Sequence, residues 1–359
     1  MAQTDSIATA ILPTDVYAYY VVVTPGNTFT SMLGHAAIRM QCPSAGLDYC
    51  FTVKSPEIGN EFTAMTLRTL QAGLVPEKTE QFFHDYVQEG RGISEYKLKL
   101  TLNEVRTLWQ LLDEEVGLGL HRNLDYIHHG CAQEAFTILS AAIRHRNIDF
   151  DAAANRLLPY ENRRQILARY KGADDWMGFI GHSLYGGSPD EPVRGTAKLI
   201  MPMDVAQVLN AERLTEGEHV IALPKLVMSK PLITPLVLAV MFLLLCLLPL
   251  QCRVCNAMLL MSHFLISILM VWLVFVSKTP GTEWNWLIIP FNPIPTLTIR
   301  WAGHRTYMFY AVVLSAMLVF MLLHLGHLFF TEQILIVAGL LMRTIYHSFN
   351  INLLKNKRQ

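Results

Sequence analysis

The sequence predicts an α+β domain followed by an α-helical transmembrane bundle. Three observations lead there. Residues 1–230 hold 21 Lys and Arg against 27 Asp and Glu, whereas residues 231–359 hold 8 against 2. An acidic, polar part is followed by a basic, apolar one, as when a soluble domain is joined to a membrane domain. The second part carries long uncharged runs, and the first mixes alternating apolar runs with runs of helical period. The division falls at 1–228 and 229–359. Charged residues make up 16% of the chain, against about 25% in an ordinary soluble domain. The polar part has no basic stripe, so nucleic acid is not an expected partner.

Within the polar part, "VYAYYVVVTP" (16–25) reads as a buried strand. "HAAIRMQC" and "LDYCFTVK" read as a hairpin across "PSAG". "TEQFFHDYVQEG" (79–90) is an amphipathic helix ended by Gly90, and "ISEYKLKLT" (93–101) alternates as a strand. Thr101 and Glu104 form a capping box ahead of a helix through "EVRTLWQLLDEEVG". "CAQEAFTILSAAIRH" places Ala132, Ala135, Phe136, Leu139, Ala142 and Ile143 on one helical face, and "NRRQILARY" is a further helix.

Four spans are expected in the apolar part, at 231–250, 257–277, 306–330 and 333–354. Each is long enough for a hydrocarbon core of about 30 Å. Arg343 lies inside the fourth, where it either snorkels or faces the bundle. Between the second and third spans, segment 278–305 carries Trp284, Trp286, Trp301 and several prolines, and reads as an interfacial or re-entrant loop. Arg253, in the short loop after the first span, votes for the cytoplasmic side. That puts the polar domain outside. Four spans then leave the basic tail "KNKRQ" outside too, against the positive-inside rule; three or five crossings would reconcile it. The N-terminus is not a signal peptide as written. An external domain needs a leader, and "AQTDS" looks like a mature start preceded by an added methionine.

Cys42 and Cys50 flank the hairpin turn. If Cys42 faces Leu47, then Cys50 faces Arg39, and the two are out of register for a bridge. Cys252 and Cys255 form a C-x-x-C without the βαβ context of a redox motif.

Cys131 follows Gly130 and opens a helix, where free N–H groups and the helix dipole favour a thiolate and can hold an oxyanion. A histidine completes such a dyad by exchanging protons with substrate and leaving group. His35, at the mouth of a strand, is the candidate. Asp48 is the nearest carboxylate on the following strand and the candidate to orient it. Taken singly, a lone Cys or His is more often ordinary core; here the two local contexts support each other. Zinc is the rival reading, on His121, His128, His129 and Cys131, but their spacing matches no standard ligand set. No cofactor is expected. "GHSLYGG" resembles a serine nucleophile elbow, except that Tyr185 stands where glycine is needed. There is no P-loop and no dinucleotide fingerprint.

"SMLGHAAIR", "FFHDYVQEGRGISEYKLKLTLNE", "LDYIHHGCAQ" and "NRRQIL…DDWMGFIGHSLYGGSPD" together resemble the periplasmic domain of the Lnb-type lipoprotein N-acyltransferases, over roughly residues 20–225. The order of histidine first and helix-opening cysteine later is also similar to permuted papain-like enzymes such as the lecithin:retinol acyltransferase group. The resemblance implies a permuted papain-like catalytic domain on a bacterial inner membrane, facing the periplasm, with His35 and Cys131 as its catalytic pair. Gly130 stands where relatives often have Asn, and Cys50 where many have Gly. The implied substrates are diacylglyceryl lipoproteins and membrane lipid. Cys131 would take an acyl chain as a thioester and pass it to the α-amine of the lipoprotein's N-terminal cysteine. In the characterised type, the chain comes from the sn-2 position of the same lipoprotein and a lyso-form remains. The Trp segment would floor the lipid entry. Two other readings remain: a membrane-anchored cysteine peptidase or amidase acting on cell-wall peptide, and a non-enzymatic scaffold.

Overall fold

A computed structural model describes residues 15–28, 31–55, 71–123, 125, 128–169, 175–225, 231–248, 253–277, 281–302 and 304–356. Its polar part is built on one seven-stranded antiparallel sheet, in the order β6-β4-β3-β2-β1-β5-β7. The strands are β1 (Tyr17–Val23), β2 (His35–Cys42), β3 (Leu47–Lys54), β4 (Gln71–Lys78), β5 (Ile93–Leu98), β6 (Arg122–Asn123) and β7 (Thr215–Ala222). β1 is apolar on both sides because both faces of the sheet are covered. Ala18, Tyr20 and Val22 join one core, with helices α2 (Leu102–Gly117), α3 (Cys131–Ala142) and α7 (Pro202–Ala211). Val21 and Val23 join a second core, with Phe82 and Tyr86 of α1 (Thr79–Gln88). Strand alternation thus splits one run of residues between two cores.

The hairpin forms as the sequence predicts. Gly46, at φ 64, closes the turn. Cys42 pairs with Leu47 and Arg39 with Cys50, and both cysteines are free thiols. The capping box at Thr101 and Glu104 is present in full. Three further helices, α4 (Phe150–Leu157), α5 (Arg163–Arg169) and α6 (Asp175–Leu184), lead from α3 towards the apolar part.

The apolar part contains α8 (Pro235–Leu247), α9 (Arg253–Phe275), α10 (Ile294–Ala302), α11 (His304–Leu323) and α12 (Thr331–Asn356). Two stretches, Asn256–Phe275 and Arg305–Leu323, are long and apolar enough to cross a membrane. α8 is apolar but has only 13 residues, about 20 Å of helix. Large apolar side chains are exposed on the outer faces, among them Met241, Phe275, Phe309 and Leu323. Water is a poor solvent for such a surface and hydrocarbon a good one.

Specific bonds dock the two parts together. Asn162 Nδ2 donates to His327 O (3.1 Å), Gln333 Nε2 to Ser183 Oγ (3.1 Å), and Asn285 Nδ2 to Ser183 O (2.9 Å). Trp176 Nε1 donates to Ile233 O (2.7 Å) and Gly186 N–H to Gly281 O (2.7 Å). Ser183, of the elbow-like sequence, is therefore a docking residue. These contacts fix which end of each apolar helix meets the sheet domain. α8 leaves that end at Ile233 and reaches the far end at Leu248, whose carbonyl accepts from Arg343. α9 returns, starting at Asn256, also held by Arg343. The Trp segment then turns inward: Leu287 is buried among the helices, and Pro290 O accepts from Tyr310 and lies 3.0 Å from His263 Nε2, midway along α9. Through α10 the chain reaches the far end, where α11 begins. α11 comes back to His327, and α12 descends again from Gln333 to Arg343. The chain passes between the two ends five times, one pass being the Trp segment together with α10. Arg343 faces the bundle, with Tyr346 beneath it at 5.1 Å.

Candidate active site

His35 opens β2 directly after Gly34. Gly34 has φ +80, and a Cβ there would stand 2.8 Å from Val23 O, so only glycine sets the chain into the strand at this point. Alternation directs His35 to the α1 face, where its ring stacks on Phe82 (6.2 Å) and tilts against Tyr86 (5.6 Å). α3 packs on the opposite face, and its first residue is Cys131, with Gly130 as N-cap. Both side chains line one cavity of about 590 Å³ at the end of the sheet, together with Gly34, Lys54, Ser55, Arg91 and others. Backbone N–H groups of Ala36, Ala132 and Cys131 itself lie towards the Cys131 sulfur and act to lower its pKa. His35 and Cys131 thus share one site.

The electrostatics differ from the expected thiolate. Burial raises the Cys131 thiol above its ordinary value, and the surrounding N–H groups and Arg91 offset only part of that. Desolvation therefore outweighs these stabilising groups. Burial, then the charges of Arg91 and Lys54, push the His35 pKa from 6.5 to about 3. At neutral pH the resting pair is thiol and neutral imidazole.

His35 Nε2 lies 2.6 Å from Thr52 Oγ1, and the same hydroxyl donates to Ala36 O at 2.8 Å. A hydroxyl has one proton, and a carbonyl can only accept. Thr52 therefore accepts from Nε2–H. His35 carries its proton on Nε2, and Nδ1 is its basic position.

Asp48 does not take the orienting role. It pairs with Gln41 across the hairpin, six residues along β2 from His35, or about 20 Å. Its carboxylate instead accepts from Arg39 Nε (2.8 Å) and Nη2 (2.6 Å) and from Thr79 Oγ1 (2.6 Å). Burial alone would raise this carboxyl, but bonds from Arg39, Thr79 and Gln41 hold it below its ordinary value. Arg39 also binds Glu95 (2.7 Å). Asp48→Asn is expected to lower stability by about 1–3 kcal/mol and leave turnover within roughly threefold of wild type. Unfolding midpoints and rates measured on the same preparation check this.

The remaining sequence candidates lie apart. His128 Nδ1 is 2.8 Å from Asp125, His121 approaches Glu115 (3.6 Å), and His129 approaches Glu134 (3.6 Å). Among the described residues no group of three metal-type side chains forms. Among the described residues, none of the Trp segment lines this cavity; Asn285 of that segment donates to Ser183 O and Leu184 O of α6. Cys252 and the possible leader junction fall outside the described residues. Sequence reasoning missed Thr52 and Arg91. Arg91 is 4% exposed, lies 4.6 Å over the Tyr86 ring and donates to Thr24 O (2.7 Å).

A helix-opening cysteine and a strand-opening histidine line one cavity, the residue types a thiol-nucleophile site needs. Residues 3–169 match the family model described as the Lnb N-terminal periplasmic domain, which supports the Lnb-type family for this part of the chain. No curated protein and no solved structure matches the chain.

Proposed function

We propose that this protein is a membrane-bound lipoprotein N-acyltransferase of Cys-His type, with its permuted papain-like domain in the periplasm and its apolar helices in the inner membrane. The observation that carries this reading is the shared cavity of Cys131 and His35, in a domain docked onto lipid-compatible helices. Leu33 and Ile200 line the cavity and pack with Ile166, Leu167 and Tyr185. They offer an apolar route for an acyl chain.

The reaction has two halves. His35 Nδ1 accepts the Cys131 proton as sulfur attacks an ester carbonyl of the diacylglyceryl group. The N–H groups of Ala36 and Ala132 would hold the oxyanion. Collapse breaks the C–O bond; the glycerol oxygen leaves with the proton from His35, and a thioester remains. The neutral α-amine of the lipoprotein's cysteine then attacks the thioester, His35 takes its proton, and the amide forms as the Cys131 thiolate departs and is reprotonated. With the sn-2 chain of the same lipoprotein as donor, the product is a lyso-form. Exclusion of water from the cavity favours the amine over hydrolysis.

The test is mass spectrometry of a reporter lipoprotein's N-terminal peptide, made in cells lacking their own N-acyltransferase. An amide-linked chain without net mass gain supports intramolecular transfer, and a triacyl mass points to a separate donor. An unchanged peptide refutes acyl transfer. The charged cavity rim of Lys54, Glu89 and Arg91 favours the second reading, in which the same dyad cleaves cell-wall peptide, and those peptides would be tried next.

Five crossings follow from the five passes if the far end is cytoplasmic. They put Arg253 and the basic tail on one side, as the positive-inside rule asks. A fluorescent protein fused after Gln359 is therefore expected to be active only inside the cell, and a periplasmic phosphatase fused there to be silent. The reverse result would refute five crossings.

A further inference from the structure

Two residues that line the cavity each carry a buried polar atom with no hydrogen-bond partner among the described residues: Arg91 Nη2 and Ser55 Oγ. Both residues are buried, at 4% and 6% exposure, and both line the cavity that holds Cys131 and His35. The rest of the Arg91 guanidinium is engaged. Nε donates to Thr24 O, Nη1 meets Glu89 at 3.2 Å, and the plane covers Tyr86. An unpartnered buried donor is costly, and native structures keep such groups where something else satisfies them.

The charge around them narrows the ligand. Arg91 is paired with Glu89, and Lys54, on the same cavity, is paired with Glu77. His35 is neutral. Each cation thus has its carboxylate, and a phosphate would enter as uncompensated charge. A carbonyl oxygen needs only the N–H and O–H that are offered.

We infer that Arg91 and Ser55 are the orienting donors for an uncharged carbonyl of the acyl substrate, ester or peptide, adjacent to the one Cys131 attacks. This rests on the acyl-transfer reading for the substrate's identity, but it makes a separate prediction about binding.

The experiment uses the full chain with Cys131→Ala, so that ligand binds without turnover. Its affinity for a synthetic diacylglyceryl-cysteinyl peptide is measured in nanodiscs, beside Ser55→Ala and Arg91→Lys in the same background. Ser55→Ala is the cleaner variant, because it removes a hydroxyl without a partner among the described residues. Its unfolding temperature is expected to equal or exceed that of the parent, while affinity falls roughly tenfold. A purely structural Ser55 would give the opposite pair of results. Arg91→Lys keeps the charge, loses the planar fork and is expected to weaken the peptide similarly. Phosphatidylglycerol is the second probe. If the variants weaken phosphatidylglycerol and spare the peptide, the ligand is a phosphate and the inference is overturned. Unchanged affinity for both also overturns it. Tight peptide binding that depends on Arg91 and Ser55, without acylation in cells, would sink acyl transfer and leave this subsite standing.

Discussion

Cys131→Ala is expected to reduce N-acylation by on the order of 10,000-fold or more, with the protein still folded and still in the membrane. The side chain is half-buried and opens on the cavity, so its loss removes the nucleophile without emptying a core. Reporter-peptide mass spectrometry reads the first part, and yield and unfolding temperature read the second. The neutral resting pair adds a pH signature. A general base is lost when it protonates. With the His35 pKa pushed down to about 3, that loss falls well below the ordinary histidine range near 6.5. The rate of thioester formation at Cys131, which precedes the amine's attack and does not carry the amine's own titration, should therefore stay level as pH drops from about 7 to about 5. An acid limb centred near 6.5 would show that His35 is solvated as an ordinary histidine and that the neutral pair is wrong. A variant that acylates at the wild-type rate would remove Cys131 from the chemistry altogether.

Most of what positions this pair is legible in the sequence. The buried strand, the capping box and the helix that opens at Cys131 all rest on local patterns, and local patterns survive folding when packing agrees with them. β4 and β7 escaped for the opposite reason. "QAGLVPEK" carries Gly73 and Pro76, and "TEGEHVIA" is charged on an edge of the sheet, so neither shows the alternation of a half-buried strand. The five passes escaped as well. The re-entrant segment is held by single bonds to His263 and Tyr310, which no hydropathy window reports. Counting four helical spans puts the basic tail outside; under the proposed five crossings it lies with Arg253.

The missed partner of His35 is more instructive, because the register that rules out a Cys42–Cys50 bridge already contains it. Cys42 opposite Leu47 and Ile38 opposite Phe51 place Thr52 opposite Ala37. Thr52 therefore lies on the face of His35 and diagonal to it, within reach of a short side chain. Choosing the nearest carboxylate assumed that the histidine's orienter must be charged. A hydroxyl with its own proton committed to Ala36 O fixes the tautomer equally well, and costs less to bury than an unpaired carboxylate. Thr52→Val keeps the shape, removes the acceptor, and frees the imidazole to place its proton on Nδ1, where it cannot act as base. The expected result is a fall in kcat of about 100- to 10,000-fold, by analogy with the loss of the orienting group in serine-protease triads, with KM nearly unchanged because Thr52 does not line the cavity. Stability should fall by only about 1 kcal/mol for the bond to Ala36 O. Thr52→Ser restores the acceptor and should recover most of the rate. If valine and serine reduce kcat alike, Thr52 matters for packing rather than for the proton on His35. If neither reduces it, the imidazole is held by something other than this hydroxyl.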